Sequence, residues 1–229
     1  MMTENKTALI AGATGLVGSN LLKQLLAETY YSKIIVLLRK PLNISDPRLV
    51  QLLVDFDNLK EYATELKAND VYCTLGTTMK KAGSKEAFRK VDYEYPVELA
   101  SITHKNGAEK FIIVTAIGSD SNSAIFYNKV KGQVEEKLKS FQFKHLYILQ
   151  PSLLTGDRKE HRTGEKIAII ASNYFNHILL GPLRKYRSIN ANVVAFGMIY
   201  AAKHFTEKIR TILSDEIQEI YNRNQPKKL

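Results

Sequence analysis

The stretch "IAGATGLVGSNLL", Ile10 to Leu22, holds Gly12, Gly15 and Gly18, three glycines each three residues apart. An apolar run, "TALIAG" (Thr7–Gly12), precedes it. Leu16–Ala27 follows with Val17, Leu21, Leu22, Leu25 and Leu26 at helical spacing. The glycines therefore sit in a strand-to-helix turn, where free N–H groups and the positive end of the helix dipole meet a pyrophosphate. Gly12 permits the tight turn, Gly15 lets the backbone approach phosphates, and Gly18 lets helix and strand pack closely. Thr14, Leu16 and Val17 complete the predicted phosphate contact. The spacing is G-x-x-G-x-x-G rather than the usual G-x-G-x-x-G, and a tight turn without a ligand is the plainer alternative.

The same rhythm continues outward. "KIIVLLR" (Lys33–Arg39), "DVYCTLG" (Asp70–Gly76), "KFIIVTA" (Lys110–Ala116) and "HLYILQP" (His145–Pro151) read as strands buried on both faces, and "RLVQLLVDF" (Arg48–Phe56) as a less regular one. Helices are predicted over Val97–Asn106, with Pro96 near its start and Gly107 as C-cap, and over Phe126–Lys139. The alternation predicts an α/β fold with a doubly wound parallel sheet flanked by helices. The last third predicts helices over Glu165–Leu180, Asn192–Lys203 and Asp215–Asn222, with a break at Gly181–Pro182. The 229 residues suit one domain, with a nucleotide-binding core over about residues 5–156 and a small C-terminal helical substrate lobe over about 157–229.

The end of the second strand chooses between cofactors. An acidic residue there would hold the ribose 2′-hydroxyl of NAD. The chain instead has Arg39 and Lys40 in "VLLRKPL". A guanidinium suits a 2′-phosphate by charge and by forked hydrogen bonding, so NADP(H) is expected, with NAD(H) as the alternative. Strand ends also place Asp55 and Phe56 ("VDFD") near an adenine, and Leu75, Gly76 and Thr77 ("TLGTT") near the same ligand.

"FYNKVKGQVEEKL" puts Tyr127 and Lys131 at i and i+4, on one face of the predicted helix. Carbonyl reduction needs a proton for the nascent alkoxide. A phenol is too weak an acid unless a neighbouring ammonium stabilises its anion. Lys131 can do that and also hold a ribose. A hydroxyl at the end of the preceding strand, in "FIIVTAIGSDS", would polarise the substrate oxygen. Thr115 is the first candidate and Ser119 the second.

Together "GATGLVG", "TLGTT..KAGS", "FIIVTAIGSD" and "YNKVKGQVE" resemble the short-chain dehydrogenase/reductase superfamily, above all its atypical branch of Tat-interacting-protein-like oxidoreductases. That resemblance implies a Rossmann-like fold, preference for NADP(H), and catalysis by Tyr127 and Lys131 with a Ser or Thr partner. It also implies that Pro151 and Leu153 lie along the nicotinamide. In the superfamily the usual Ser/Thr falls at or beside Ala116, which has no hydroxyl. The implied activity is hydride transfer between the cofactor and a small carbonyl or alcohol. The competing readings are a cofactor-binding sensor or scaffold without turnover, and a nucleic-acid binder.

The net charge of +10 raises that last reading, but the basic residues are scattered, with only short groups such as "MKKAGSK" and "LRKYR". Nucleic acid and membrane are not expected partners, and the oligomeric state is not readable. In "DRKEHRTGE", Arg158 or Arg162 suits an anionic substrate, or Arg162 anchors a loop by pairing with Glu165. The five histidines show no metal-ligand spacing, so no metal is expected. Cys73 is the one cysteine and reads as a core residue. Without an intramolecular disulfide, a signal peptide pattern or an apolar run of about 18 residues, the expected location is the cytoplasm.

Overall fold

In the computed structural model, residues 6–156 and 179–224 are described. Six strands run through the first two thirds of the chain: β1 (Thr7–Ala11), β2 (Lys33–Leu38), β3 (Leu49–Leu53), β4 (Asp70–Cys73), β5 (Lys110–Val114) and β6 (His145–Gln150). Two short ones, β7 (Leu154–Thr155) and β8 (Ile189–Asn190), pair with each other, and β9 (Ile209–Leu213) follows. The main sheet has the order β3-β2-β1-β4-β5-β6-β9, with every neighbouring pair parallel.

Strands alternate side chains between two cores. Ala8 and Ile10 of β1 face a cluster shared with α1 (Leu16–Ala27). Leu9 and Ala11 face the opposite cluster. The first cluster is completed by two late helices and the second by two middle ones. Among the described residues the remaining helices, in chain order, are α2 (Met79–Ala82), α3 (Lys85–Arg89), α4 (Tyr95–Lys105), α5 (Phe126–Lys139), α6 (Ala191–His204) and α7 (Ser214–Asn224). Helices α6 and α7 share the face of α1, and α4 and α5 cover the other. This is the Rossmann-like arrangement expected. The chain moves outward from β1 to β3 and returns to place β4 on the far side of β1. Their C-terminal ends therefore diverge and open a crevice between them.

Two regions differ from the sequence reading. The C-terminal third supplies a strand, β9, to the main sheet as well as helices. It is an edge strand whose Ile209, Arg210 and Thr211 stay at least partly exposed, so it lacks the continuous apolar run that marked the others. The helix expected at Val97 begins much earlier. Thr78 and Ser84 cap α2 and α3 by accepting the Lys81 and Ala87 N–H groups. A π-helical turn, Lys90–Glu94, then joins α3 to α4 without a break. Pro96 has no N–H for the carbonyl of residue 92, four back, which accounts for a wider turn at that point. The Gly181–Pro182 break is the start of a 3-10 turn, Gly181–Tyr186. The helix expected over 165–180 falls, up to residue 178, outside the described residues, as do Arg158, Arg162 and Glu165.

At the other end of the sheet Asp70 is buried and accepts the Tyr31 hydroxyl at 2.6 Å, while the Tyr31 and Tyr72 hydroxyls meet at 2.8 Å. Burial raises the Asp70 carboxyl above its ordinary range, against the weaker opposing pull of the Tyr31 hydrogen bond and of Lys110 and Lys6. The folded chain therefore keeps this proton at pH values where the unfolded chain has lost it. This group's contribution to stability falls as pH rises from about 4 through the folded value. Asp70→Asn cannot ionise, so its melting temperature relative to wild type is expected to rise between about pH 4 and pH 7. Thermal melts across that range test this, and a difference independent of pH refutes it.

Candidate active site

The turn after β1 is built on contacts that only glycine allows. Gly12 has φ +92°, and a Cβ there would lie 2.7 Å from the Thr74 carbonyl. A Cβ on Gly18 would lie 2.1 Å from the Gly12 oxygen and 2.6 Å from Thr74 Oγ1. Thr74 itself ties the two strand ends together, its N–H and hydroxyl both donating to the Ala11 carbonyl at 2.8 and 3.0 Å. Gly15 is less crowded, with one neighbour at 3.3 Å, and it lies exposed at the N-cap of α1. No side chain caps this helix and no acidic residue occupies its first turn. Its leading N–H groups therefore keep their capacity for an anionic ligand, which is what a dinucleotide pyrophosphate requires.

A cavity of about 1180 Å³ opens here. From the predicted set, Thr14, Gly15, Leu16, Val17, Leu75, Gly76, Thr77, Thr115, Tyr127, Lys131, Pro151 and Leu153 line it. Gly12 and Gly18 lie behind the loop as packing positions. The structure thus brings one end of α1, the ends of β4, β5 and β6, and one face of α5 to a single space.

Sequence reasoning missed Asp92. It comes from the π-helical turn, lines the same cavity and is buried. One carboxylate oxygen lies 2.8 Å from Lys131 Nζ, and the other accepts the Thr77 N–H at 2.8 Å. Burial drives the Lys131 ammonium toward neutrality. The Asp92 carboxylate and the Tyr127 phenol outweigh that, and the ammonium ends above the ordinary lysine range. The one sequence signal for Asp92 was its position four residues before Pro96. Cys73 is fully buried as expected, and burial pushes its thiol up to about 12.

Tyr127 is half-buried on α5, its ring 5.5 Å from that of Phe88. Neither candidate polariser turns a free hydroxyl to it. Thr115 is buried and donates to Glu135 Oε1 at 2.5 Å, and Gln150 Nε2 donates to both oxygens of that carboxylate at 3.0 Å. Ser119 does not line the cavity and donates to the Ala116 carbonyl at 2.6 Å. In this arrangement each hydroxyl has an acceptor inside the protein for its one proton, Thr115 at Glu135 and Ser119 at the Ala116 carbonyl.

Arg39, Lys40, Asp55 and Phe56 lie off the cavity, at the ends of β2 and β3. Arg39 and Lys40 are exposed. Asp55 caps the 3-10 turn Phe56–Tyr62, accepting from the Asp57 N–H at 2.9 Å and Asn58 Nδ2 at 2.8 Å. The Phe56 ring sits 5.5 Å from that of Tyr95, whose hydroxyl donates to Asp57. Among the described residues no group of three or more His, Cys, Asp or Glu is placed to hold a metal ion. No helix among them is long and apolar enough to cross a membrane.

The HIM1 family model matches residues 53–186. The protein HTATIP2 of Rattus norvegicus is 36% identical over 169 residues, spanning 72% of this chain and 69% of the relative. FMP52, mitochondrial, of Candida glabrata is 30% identical over 226 residues, spanning 94% and 95%. Among solved structures, a short chain dehydrogenase from Burkholderia cenocepacia in complex with NADP superposes with TM-score 0.66 at 15% identity, covering 97% of this chain and 93% of that one. MoeE5 in complex with UDP-glucose and NAD gives 0.68 at 12% identity, covering 95% and 81%. At such identities the structures show the fold alone. The expected cytoplasmic location is overturned: the fungal relatives are designated mitochondrial.

Proposed function

The chain belongs to the HIM1 family, and on that premise we propose that it is an NADP(H)-dependent oxidoreductase of the atypical short-chain dehydrogenase/reductase type. Its substrate is a small carbonyl compound or the corresponding alcohol. The observation that carries this is the opening of Tyr127 and Lys131 into the same cavity as the uncapped N-terminus of α1. The glycine turn and the first N–H groups of α1 bind the pyrophosphate, and Lys131 holds the nicotinamide ribose. Tyr127 delivers the proton to the carbonyl oxygen in reduction and takes it back in oxidation. The nicotinamide, when bound, supplies or accepts the hydride. A mitochondrial location for this chain accords with the designation of its fungal relatives.

NADPH oxidation against a panel of aldehydes, ketones and quinones tests the reading. A second reading, a cofactor-binding sensor, is favoured by the commitment of the Thr115 and Ser119 hydroxyls to Glu135 and Ala116. Tight NADPH binding with no turnover across the panel would select it. The exposed Arg39 carries the preference for the phosphorylated cofactor. Arg39→Ala is expected to weaken NADPH binding about 10- to 100-fold, the worth of one charged hydrogen-bonded contact, and to leave NADH binding unchanged. Equal loss for both cofactors, by fluorescence titration, would remove Arg39 from that role.

A further inference from the structure

We propose that the backbone N–H of Ala116 is the hydrogen-bond donor that polarises the substrate carbonyl, at a position whose side chain has no hydroxyl. The proposal rests on the oxidoreductase reading and names the group that meets the substrate oxygen beside Tyr127. Along the end of β5 successive N–H groups alternate in direction. Thr115 and Ile117 donate toward β6, to the Leu149 and Pro151 carbonyls at 2.9 and 3.0 Å. Ala116 lies between them, so its N–H points the other way, toward β4. At the start of that ladder the Lys110 N–H meets the Asn69 carbonyl at 3.1 Å. Carried on in the same register, the Ala116 N–H would fall to the Leu75 carbonyl. That bond is not made. Strand β4 ends at Cys73, and Thr74 turns its N–H and hydroxyl to Ala11 on β1. The Ala116 N–H has no partner among the described residues.

A main-chain N–H without a partner is rare, and this one stands where two strands part. Leu75, Gly76, Tyr127 and Lys131 line the same cavity as Ala116, which is partly exposed. The Ala116 carbonyl is already used, accepting the Ser119 N–H at 3.2 Å and the Ser119 hydroxyl at 2.6 Å. That turn and the Ile117 bond to Pro151 hold the backbone on both sides of the free N–H. A donor fixed in this way needs no reorientation when charge builds on the carbonyl oxygen. In reduction the carbonyl carbon gains the hydride of the reduced nicotinamide. The π pair moves to oxygen, and Tyr127 protonates that oxygen. The Ala116 N–H transfers no proton and stabilises the growing negative charge.

The test exchanges this one amide for an ester in the full-length chain. Ala116→L-lactic acid, made by nonsense suppression in cell-free synthesis, replaces the N–H by oxygen and keeps the methyl. The Thr115 carbonyl, a weaker acceptor in an ester, receives no hydrogen bond among the described residues, so the fold loses none. The kcat for phenanthrenequinone reduction is expected to fall about 10²- to 10³-fold, the loss on removing one such donor, with NADPH affinity within about twofold. Equal kcat in both proteins overturns the proposal. A second readout needs no turnover and decides if the ester chain does not fold. The wild type is labelled with 15N-alanine, and the Ala116 signal is assigned by its loss in Ala116→Ser. Its amide proton is expected to move downfield when phenanthrenequinone is added to the protein with NADP+. Movement of other alanine signals without that of Ala116 overturns the proposal and leaves the oxidoreductase reading standing. A wild type that binds NADPH yet neither binds nor reduces the quinone overturns the oxidoreductase reading, and the proposal with it.

Discussion

Tyr127→Phe is expected to lower the rate of carbonyl reduction by about 10²- to 10⁴-fold, the usual contribution of one positioned general acid. NADPH affinity should stay within about twofold, because the lost group acts in the transition state rather than in ground-state binding. The substitution is clean. The ring that packs 5.5 Å from Phe88 is kept, and only the hydroxyl is removed. Lys131→Met should behave differently. It removes both the charge beside the phenol and the ribose contact, and it strands the buried Asp92 carboxylate without its ammonium. That variant is expected to lose turnover, cofactor affinity and stability together. Single-turnover rates and NADPH titrations on the two variants separate the roles. Undiminished turnover in Tyr127→Phe would sink the assignment of the phenol as proton donor. It would also reopen which group in the cavity supplies the proton.

The contrast between these two residues shows what the sequence made legible. Helices Leu16–Ala27 and Phe126–Lys139 occupy the predicted residues because each carries its own amphipathic period, a local property. Tyr127 and Lys131 share a face for the same reason. Gly12 and Gly18 were readable because a strand and a helix on either side demand a turn of that kind. Strand β9 was hidden because an edge strand with Arg210 and Thr211 in its middle need not be continuously apolar. Asp92 was hidden for a different reason. Its partners, Thr77 and Lys131, lie 15 residues before it and about 40 after it, and a π-turn rather than an α-helical period brings it to them. The direction of the Thr115 hydroxyl was beyond reach too, since it is decided by Glu135, twenty residues on and in another element. Location failed because composition constrains redox setting and solubility, neither of which names a compartment.

Gly18→Ala is expected to cost about 3 kcal/mol or more of stability and to abolish NADPH binding, a severe case of overpacking. The new methyl would stand 2.1 Å from the Gly12 carbonyl oxygen and 2.8 Å from its carbon, both backbone atoms that no rotamer change can move. Relief requires α1 to shift away from the β1 turn, and that same shift withdraws the helix N-terminus from the cavity. Stability and binding are therefore predicted to fail together. Gly15→Ala meets one atom at 3.3 Å, so it should fold nearly as well as wild type and lose affinity by crowding the ligand side of the loop. Gly83→Ala is the control. Its φ of +80° makes a side chain strained, yet nothing lies within 4 Å, so its cost should be the backbone term alone, about 1–2 kcal/mol, with binding intact. Urea melts and NADPH titrations on the three variants measure both quantities. If Gly18→Ala proved no worse than Gly83→Ala, close approach of α1 to β1 would not be what the third glycine supplies. The G-x-x-G-x-x-G spacing would then owe its binding capacity to Gly12 and Gly15 alone.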